Sequence, residues 1–312
     1  MTSGDGVRRV ILLGPQRRPT VDAAAGGLGG TGPIGTVTAG WRERESDDAE
    51  LDRLLGGRTV NLRLYTRWRD VLEHDPEYAD AEREHRAALD ERQELYRVQL
   101  AGVLGALHEV ARYGGSRAAI RHTARADAEA AVRLIDEQHV ARIREAREEF
   151  AATWRPGERG SVAAHRSAVQ ERLGQADALV VAGGHVGGLL HVLRLFAVNP
   201  PAVVIAWSAG AMALTERVLL FHDKAPHPPA HAEFAGPGLS WLRGCVLLPH
   251  ARRRLRTEDP ARMAELAVRM APARCVVLDD GTRLDVTDGA VLPAGARLVG
   301  ADGRITERAA AS

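Results

Sequence analysis

Residues 202–214 read Ala202-Val203-Val204-Ile205-Ala206-Trp207-Ser208-Ala209-Gly210-Ala211-Met212-Ala213-Leu214, an apolar strand that runs straight into a serine, small residues and an amphipathic helix. A nucleophile elbow needs this order, because its turn is so tight that the neighbours of the nucleophile must be small. The helix N-terminus behind it also favours developing negative charge. The pattern here is Ala-x-Ser-x-Gly, with Ala206 in place of the first glycine of the usual Gly-x-Ser-x-Gly. The competing reading of Ser208 is an ordinary N-cap at a strand-to-helix turn.

Similar apolar runs recur on either side of this segment, at 10–13, 34–39, 60–65, 178–182, 245–248 and 275–278. Continuous β-branched and aliphatic runs bounded by Gly, Pro or Asp are what strands buried on both faces look like. With helical stretches between them they predict an α/β fold, a flavodoxin-like and mostly parallel sheet covered by helices. The alternation breaks once. Residues 76–157 carry no strand signal and are dense in Ala, Glu, Arg and Leu, with apolar residues at helical spacing (Leu100, Val103, Leu104, Leu107; Ile143, Ala146, Phe150) and a turn at Gly114-Gly115-Ser116. The expectation is one α/β domain over 1–312 with an inserted α-helical hairpin at 76–157, packed on the core or on a second copy in a homo-oligomer. Near the C-terminus, 282–286, 289–292 and 296–300 read as short strands with turns at Asp288-Gly289 and Asp302-Gly303, a small antiparallel extension.

Composition narrows the function classes. The 312 residues are 45% hydrophobic, and 42 Lys+Arg against 41 Asp+Glu leave a net charge of +1. A dedicated nucleic-acid or anionic-membrane binder needs a cationic excess to displace counterions, so neither is an expected partner. No apolar run approaches the roughly 20 residues of a membrane span, and the first residues lack the basic and apolar regions of a signal peptide, which predicts a cytoplasmic protein. Cys245 and Cys275 lie inside apolar runs and read as buried strand thiols, not metal ligands or a disulfide. Lys224 is the only lysine, and genome base composition accounts for that bias.

A second strand-to-helix turn lies upstream, in Leu179-Val180-Val181-Ala182-Gly183-Gly184-His185-Val186-Gly187-Gly188. In a parallel sheet two such turns stand side by side at the C-terminal edge of the strands, where open α/β sheets place their sites. An amide of the Gly183-Gly184 turn could then face Ser208 and, with the amide of Ala209, form a two-donor oxyanion hole, in which one donor is typically worth about 3 kcal/mol of the barrier. As a dinucleotide fingerprint these glycines are poor, since they lack the Gly-x-Gly-x-x-Gly order. No cofactor is expected. A serine nucleophile needs a base, and His222, His227, His231 and His250 follow it. His250 comes directly after the strand 245–248 and Pro249, on the same sheet edge as Ser208, whereas His222, His227 and His231 lie in or beside a Pro/Ala-rich loop. Asp223 can orient an imidazole or form part of the site wall.

Gly183-Gly184 with Leu189-Leu190, Trp207-Ser208-Ala209-Gly210-Ala211 and Pro249-His250 together resemble the dipeptidase E and cyanophycinase family of serine peptidases, which have the class I glutamine amidotransferase-like fold. In dipeptidase E an aspartate follows the nucleophile at the offset that separates Asp223 from Ser208. The resemblance implies that Ser208 is the nucleophile, His250 the general base and Asp223 the third member, with oxyanion donors at Gly184 and Ala209. Gly183, His185, Trp207, His222 and Arg252 would line the substrate pocket, and the substrate would be a small peptide. The similarity covers 178–286; the first three strands match only in fold pattern. His185 stands where the family usually has asparagine, and the helical insertion is not part of the family core. The basic residues that read an acidic side chain in dipeptidase E do not align, since Glu258-Asp259 falls there, with Arg252, Arg253, Arg254 and Arg256 nearby. The near-neutral total charge leaves room for a locally cationic pocket at that arginine run, for an acidic peptide or carboxylate, but aspartyl-dipeptide specificity does not carry over.

Glutamine amidotransferases of this fold carry cysteine at the elbow, so Ser208 argues against ammonia transfer. Two other classes compete with the hydrolase: a non-catalytic binding or scaffold protein, motivated by the insertion and His185, and a metal hydrolase built from His222, Asp223, His227 and His231. The spacing of those histidines is not that of the helical zinc motifs, and Pro226, Pro228 and Pro229 break any helix there, so no metal is expected.

Overall fold

The computed structural model describes residues 9–17, 19–224, 231–288 and 292–309. In chain order its strands are β1 (Arg9–Leu13), β2 (Ile34–Val37), β3 (Thr59–Asn61), β4 (Ala178–Val181), β5 (Val203–Trp207), β6 (Arg217–Leu220), β7 (Glu233–Pro237), β8 (Cys245–Pro249), β9 (Arg274–Leu278), β10 (Arg283–Thr287), β11 (Arg297–Val299) and β12 (Ile305–Glu307). The helices are α1 (Val21–Gly26), α2 (Ala49–Leu54), α3 (Leu64–His74), α4 (Pro76–Arg112), α5 (Ala118–Trp154), α6 (Gly160–Gly174), α7 (Val186–Leu195), α8 (Ala209–Leu214), α9 (Ala251–Arg254) and α10 (Pro260–Met270).

The main sheet has six strands in the order β10-β1-β5-β4-β2-β3, parallel except at β10. Successive residues of its strands point to opposite faces, and both faces are covered. Val10, Leu12, Val181, Val204 and Ala206 enter one apolar cluster, while Ile11, Leu13, Val180, Ile205 and Trp207 enter another. This double burial is why the strands read as unbroken apolar runs rather than as an alternation.

Mixed α/β architecture, a mostly parallel sheet and a large helical content are thus present, but the flavodoxin-like arrangement is not reproduced. β1 lies beside β5, and β8 and β9 leave the main sheet for a second one, ordered β12-β11-β9-β8, in which they run parallel. An apolar run states that a segment is a buried strand; its neighbours are chosen by packing between distant elements. The pair β6 and β7 forms a separate antiparallel ribbon where the sequence reading had a helix and a loop. β10 joins the main sheet, while β11 and β12 close the second sheet around the Asp302-Gly303 turn. Of the strand expected at 289–292, residues 289–291 lie outside the described residues.

Two boundaries shift for local reasons. The run 34–39 stops at Val37, where the Thr38 hydroxyl donates to the Glu45 carbonyl and the chain enters a 3-10 turn, Ala39–Arg44. The run 60–65 becomes helical from Leu64, because the buried Glu45 carboxylate accepts from the amides of Tyr65 and Thr66 and supplies the helix start with acceptors.

Residues 76–112 and 118–154 form two long helices joined by a short connection. Pro76 opens α4, and the Asp75 side chain accepts from the Tyr78 amide as its cap. The pair packs on its own core through buried polar contacts. Arg269 of α10 forks onto Asp136 of α5 at 2.7 Å for both bonds, and the Tyr96 hydroxyl of α4 donates to the same carboxylate at 2.7 Å. Among the described residues no helix is long and apolar enough to cross a membrane.

Candidate active site

Ser208 follows β5 with φ 50° and ψ −125°, a conformation that costs a non-glycine residue about 1–3 kcal/mol and clusters at functional sites. Its surroundings hold it there. A Cβ on Gly210 would stand 2.2 Å from the carbonyl oxygen of Val181, and one on Gly183 would stand 2.9 Å from the Cβ of Ser208. The elbow therefore presses directly on the end of β4. The helix behind it is shorter than its sequence suggests and is not amphipathic: α8 has six residues, all buried, and leads into β6.

His250 follows β8 in the left-handed region, with φ 57° and ψ 33°. Its amide donates to the Leu278 carbonyl and extends the ladder with β9. The residues leading into β8 are bound to the end of α8, since the amides of Leu239 and Leu242 donate to the carbonyls of Ala213 and Leu214. That attachment brings the second sheet to the elbow, and Nε2 of His250 lies 3.1 Å from Oγ of Ser208. Burial, then the charges of Arg254 and Arg253, hold the imidazole below its ordinary value; Asp280 pulls it up and Arg17 down, each more weakly.

Asp223 is not at the imidazole. Its carboxylate is forked onto Arg262, at 2.8 Å to Nη2 and 3.2 Å to Nε, and it also accepts from the Arg256 amide. α10 carries Arg262 within reach, a tertiary event that the offset from Ser208 does not report. Among the described residues nothing hydrogen-bonds to Nδ1 of His250, and Asp280, exposed in the turn after β9, is the carboxylate whose charge acts on the ring.

The glycine turn after β4 adjoins the elbow. Gly184 has φ +122°, and a Cβ there would stand 2.2 Å from the Gly40 carbonyl oxygen, so no other residue fits without moving the turn. The amide of His185 donates to that same carbonyl at 2.8 Å. Gly184's own amide has no backbone acceptor among the described residues, and Ala209, as the first residue of α8, has no partner within the helix.

The remaining expected site residues divide. His185 is exposed, and its Nδ1 accepts from the Gly188 amide at 2.9 Å, which makes it the cap of α7. Trp207 is buried in the apolar cluster behind the elbow. His222 is exposed. The Arg252 side chain is 73% exposed and turned to Asp279, 3.6 Å away, so it is committed outside the Ser208–His250 contact. His227 lies outside the described residues, Asp223 is taken by Arg262, and among the described residues no group of three ligating side chains gathers to hold a metal.

The sequence reading missed Gly40 and Arg42. Both sit in the turn after β2, and Arg42 has φ 57° and ψ −121°, nearly the conformation of Ser208. The available signal was a glycine shortly after a strand end, the same cue that singled out Gly183-Gly184.

No family model matches the chain, and no curated protein matches it. A solved structure described as a peptidase from an acI-B1 Actinobacterium aligns over 99% of this chain and 97% of its own, at 13% identity and a TM-score of 0.45. A similarity of that size says nothing about the chemistry of either chain.

Proposed function

We propose that this chain is a serine hydrolase of the dipeptidase E type, acting on a small peptide-like substrate. The observation that carries the reading is the 3.1 Å contact between Oγ of Ser208 and Nε2 of His250, made by a serine held at positive φ after a buried strand. His250, neutral at neutral pH because burial disfavours its proton, takes the Ser208 proton as Oγ attacks the carbonyl carbon. The amides of Gly184 and Ala209 receive the oxyanion. The imidazolium then protonates the departing amine, and water, deprotonated by the same imidazole, releases the acid and restores the serine. Asp280 favours the imidazolium only by its charge, more weakly than burial, Arg254 and Arg253 disfavour it.

Arg17, Arg253 and Arg254 all act on His250, and among the described residues none is paired with a carboxylate within 4.0 Å. Free guanidiniums beside the base support a substrate that carries a carboxylate. One feature favours a second reading, a binding protein that keeps the pocket without turnover: the bare Nδ1 of His250. A fluorophosphonate probe separates the two. Labelling of Ser208 that is lost in His250→Ala supports the hydrolase, and an unlabelled wild-type chain under conditions that label a serine hydrolase overturns it.

A further inference from the structure

Away from the elbow, the seam between the helical pair and the core holds two arginines without counter-charges among the described residues. α5 lays one face along β7. A Cβ on Gly236 of β7 would stand 2.8 Å from Cγ2 of Ile143 and 3.6 Å from Nη1 of Arg147, one turn further along. Immediately beyond Gly236, the carbonyls of Pro237 and Gly238 accept from Nη2 of Arg194, at 2.5 and 3.0 Å. Both guanidiniums therefore converge on 236–238, one from α5 and one from the last turn of α7.

Their compensation is unequal. Arg194 has two carbonyls and the negative end of α7. Arg147 has neither: its Nη1 is buried with no hydrogen-bond partner among the described residues. Burial lowers the pKa of both, and for Arg194 the next cause is the charge of Arg147; among the described residues no carboxylate acts on either. Guanidiniums do not give up their protons in proteins, so the seam carries an unneutralised positive charge. His85 of α4, stacked on Phe150, borders it and is lowered by burial and by Arg147. A buried charge with unused donors is costly unless something of opposite sign satisfies it.

We infer that the seam of α5, α7 and β7 is an oxyanion site, in which Arg147 and Arg194 hold a phosphate or a carboxylate that fastens the helical pair to the core. The unused N–H groups of the two planar guanidiniums suit an anion with two or more oxygens, and chloride cannot span them.

The test is a thermal melt of the full chain titrated with inorganic phosphate, with succinate, or with sodium chloride at matched ionic strength. Phosphate or succinate is expected to raise Tm saturably, by about 5 °C at a hundredfold excess over its dissociation constant, while chloride is not. The anion that acts at lower concentration identifies the source. Arg147→Met keeps the apolar stem and loses no hydrogen bond from Nη1, so it should melt no lower than the wild type in chloride and should lose the response. Equal effects of all three salts, or an undiminished response in Arg147→Met, overturn the inference. Should Arg194→Met fail to fold, Arg147→Met still decides the matter, because it leaves the carbonyl contacts of Arg194 intact.

Discussion

Oγ of Ser208 and Nε2 of His250 lie 3.1 Å apart although the two residues follow strands of different sheets, β5 and β8, with no ladder between them. Both have positive φ, 50° and 57°, just past the end of a buried strand. Each strand aims its residue, and the attachment of 238–242 to α8 sets the distance between them.

Replacing Ser208 separates function from fold. Ser208→Ala should lower turnover of an activated ester or small peptide about 10³-fold or more. Ser208→Gly should do the same while raising Tm, because glycine takes φ 50° without the steric penalty that serine bears. Turnover assays paired with thermal melts check both, and a Ser208→Gly chain less stable than the wild type contradicts the strain.

The two aspartates should part company. Asp223→Asn strips the charge from a fork on Arg262, so it should lower the urea midpoint while leaving kcat within about threefold. Asp280→Asn removes the charge that favours the imidazolium of His250 and should lower kcat with little change in stability. The acid limb of its kcat/KM profile should also move to lower pH, since the imidazole then loses its proton more readily. Steady-state kinetics over pH and urea unfolding, run on both variants, distinguish them.

Arg254 works in the opposite sense. After burial it is the largest influence lowering the His250 pKa. Arg254→Gln should therefore raise that pKa toward the ordinary value of about 6.5, and the acid limb of kcat/KM should move to higher pH. An unchanged or downward-moving limb contradicts His250 as the base.

The anchor of the helical pair is a buried ion pair between Arg269 and Asp136, with side chains 6% and 2% exposed. Arg269→Met leaves Asp136 buried with only the Tyr96 hydroxyl as partner, and should cost about 3–5 kcal/mol. Arg269→Met combined with Asp136→Leu removes both charges and should recover most of that loss. Urea unfolding of the wild type, the single variant and the double variant measures the difference.

Much of this protein is determined by local sequence. The doubly buried strands β1, β4 and β5 are legible because burial on both faces demands unbroken apolar runs, and the helices of 76–112 and 118–154 because helical spacing and a Pro76 start need only neighbours along the chain. The tight strand-to-helix turn at Ser208 is legible for the same reason: small residues around it answer to a close approach that any such turn must make. What the tertiary structure alone decided is which residue meets which. β8 left the main sheet yet placed His250 3.1 Å from Ser208, α10 carried Arg262 to Asp223, and α5 brought Arg147 to Gly236, next to the carbonyls that hold Arg194. Strand order and charge pairing depend on contacts between segments far apart in sequence, where many arrangements bury the same apolar area and no local spacing distinguishes them.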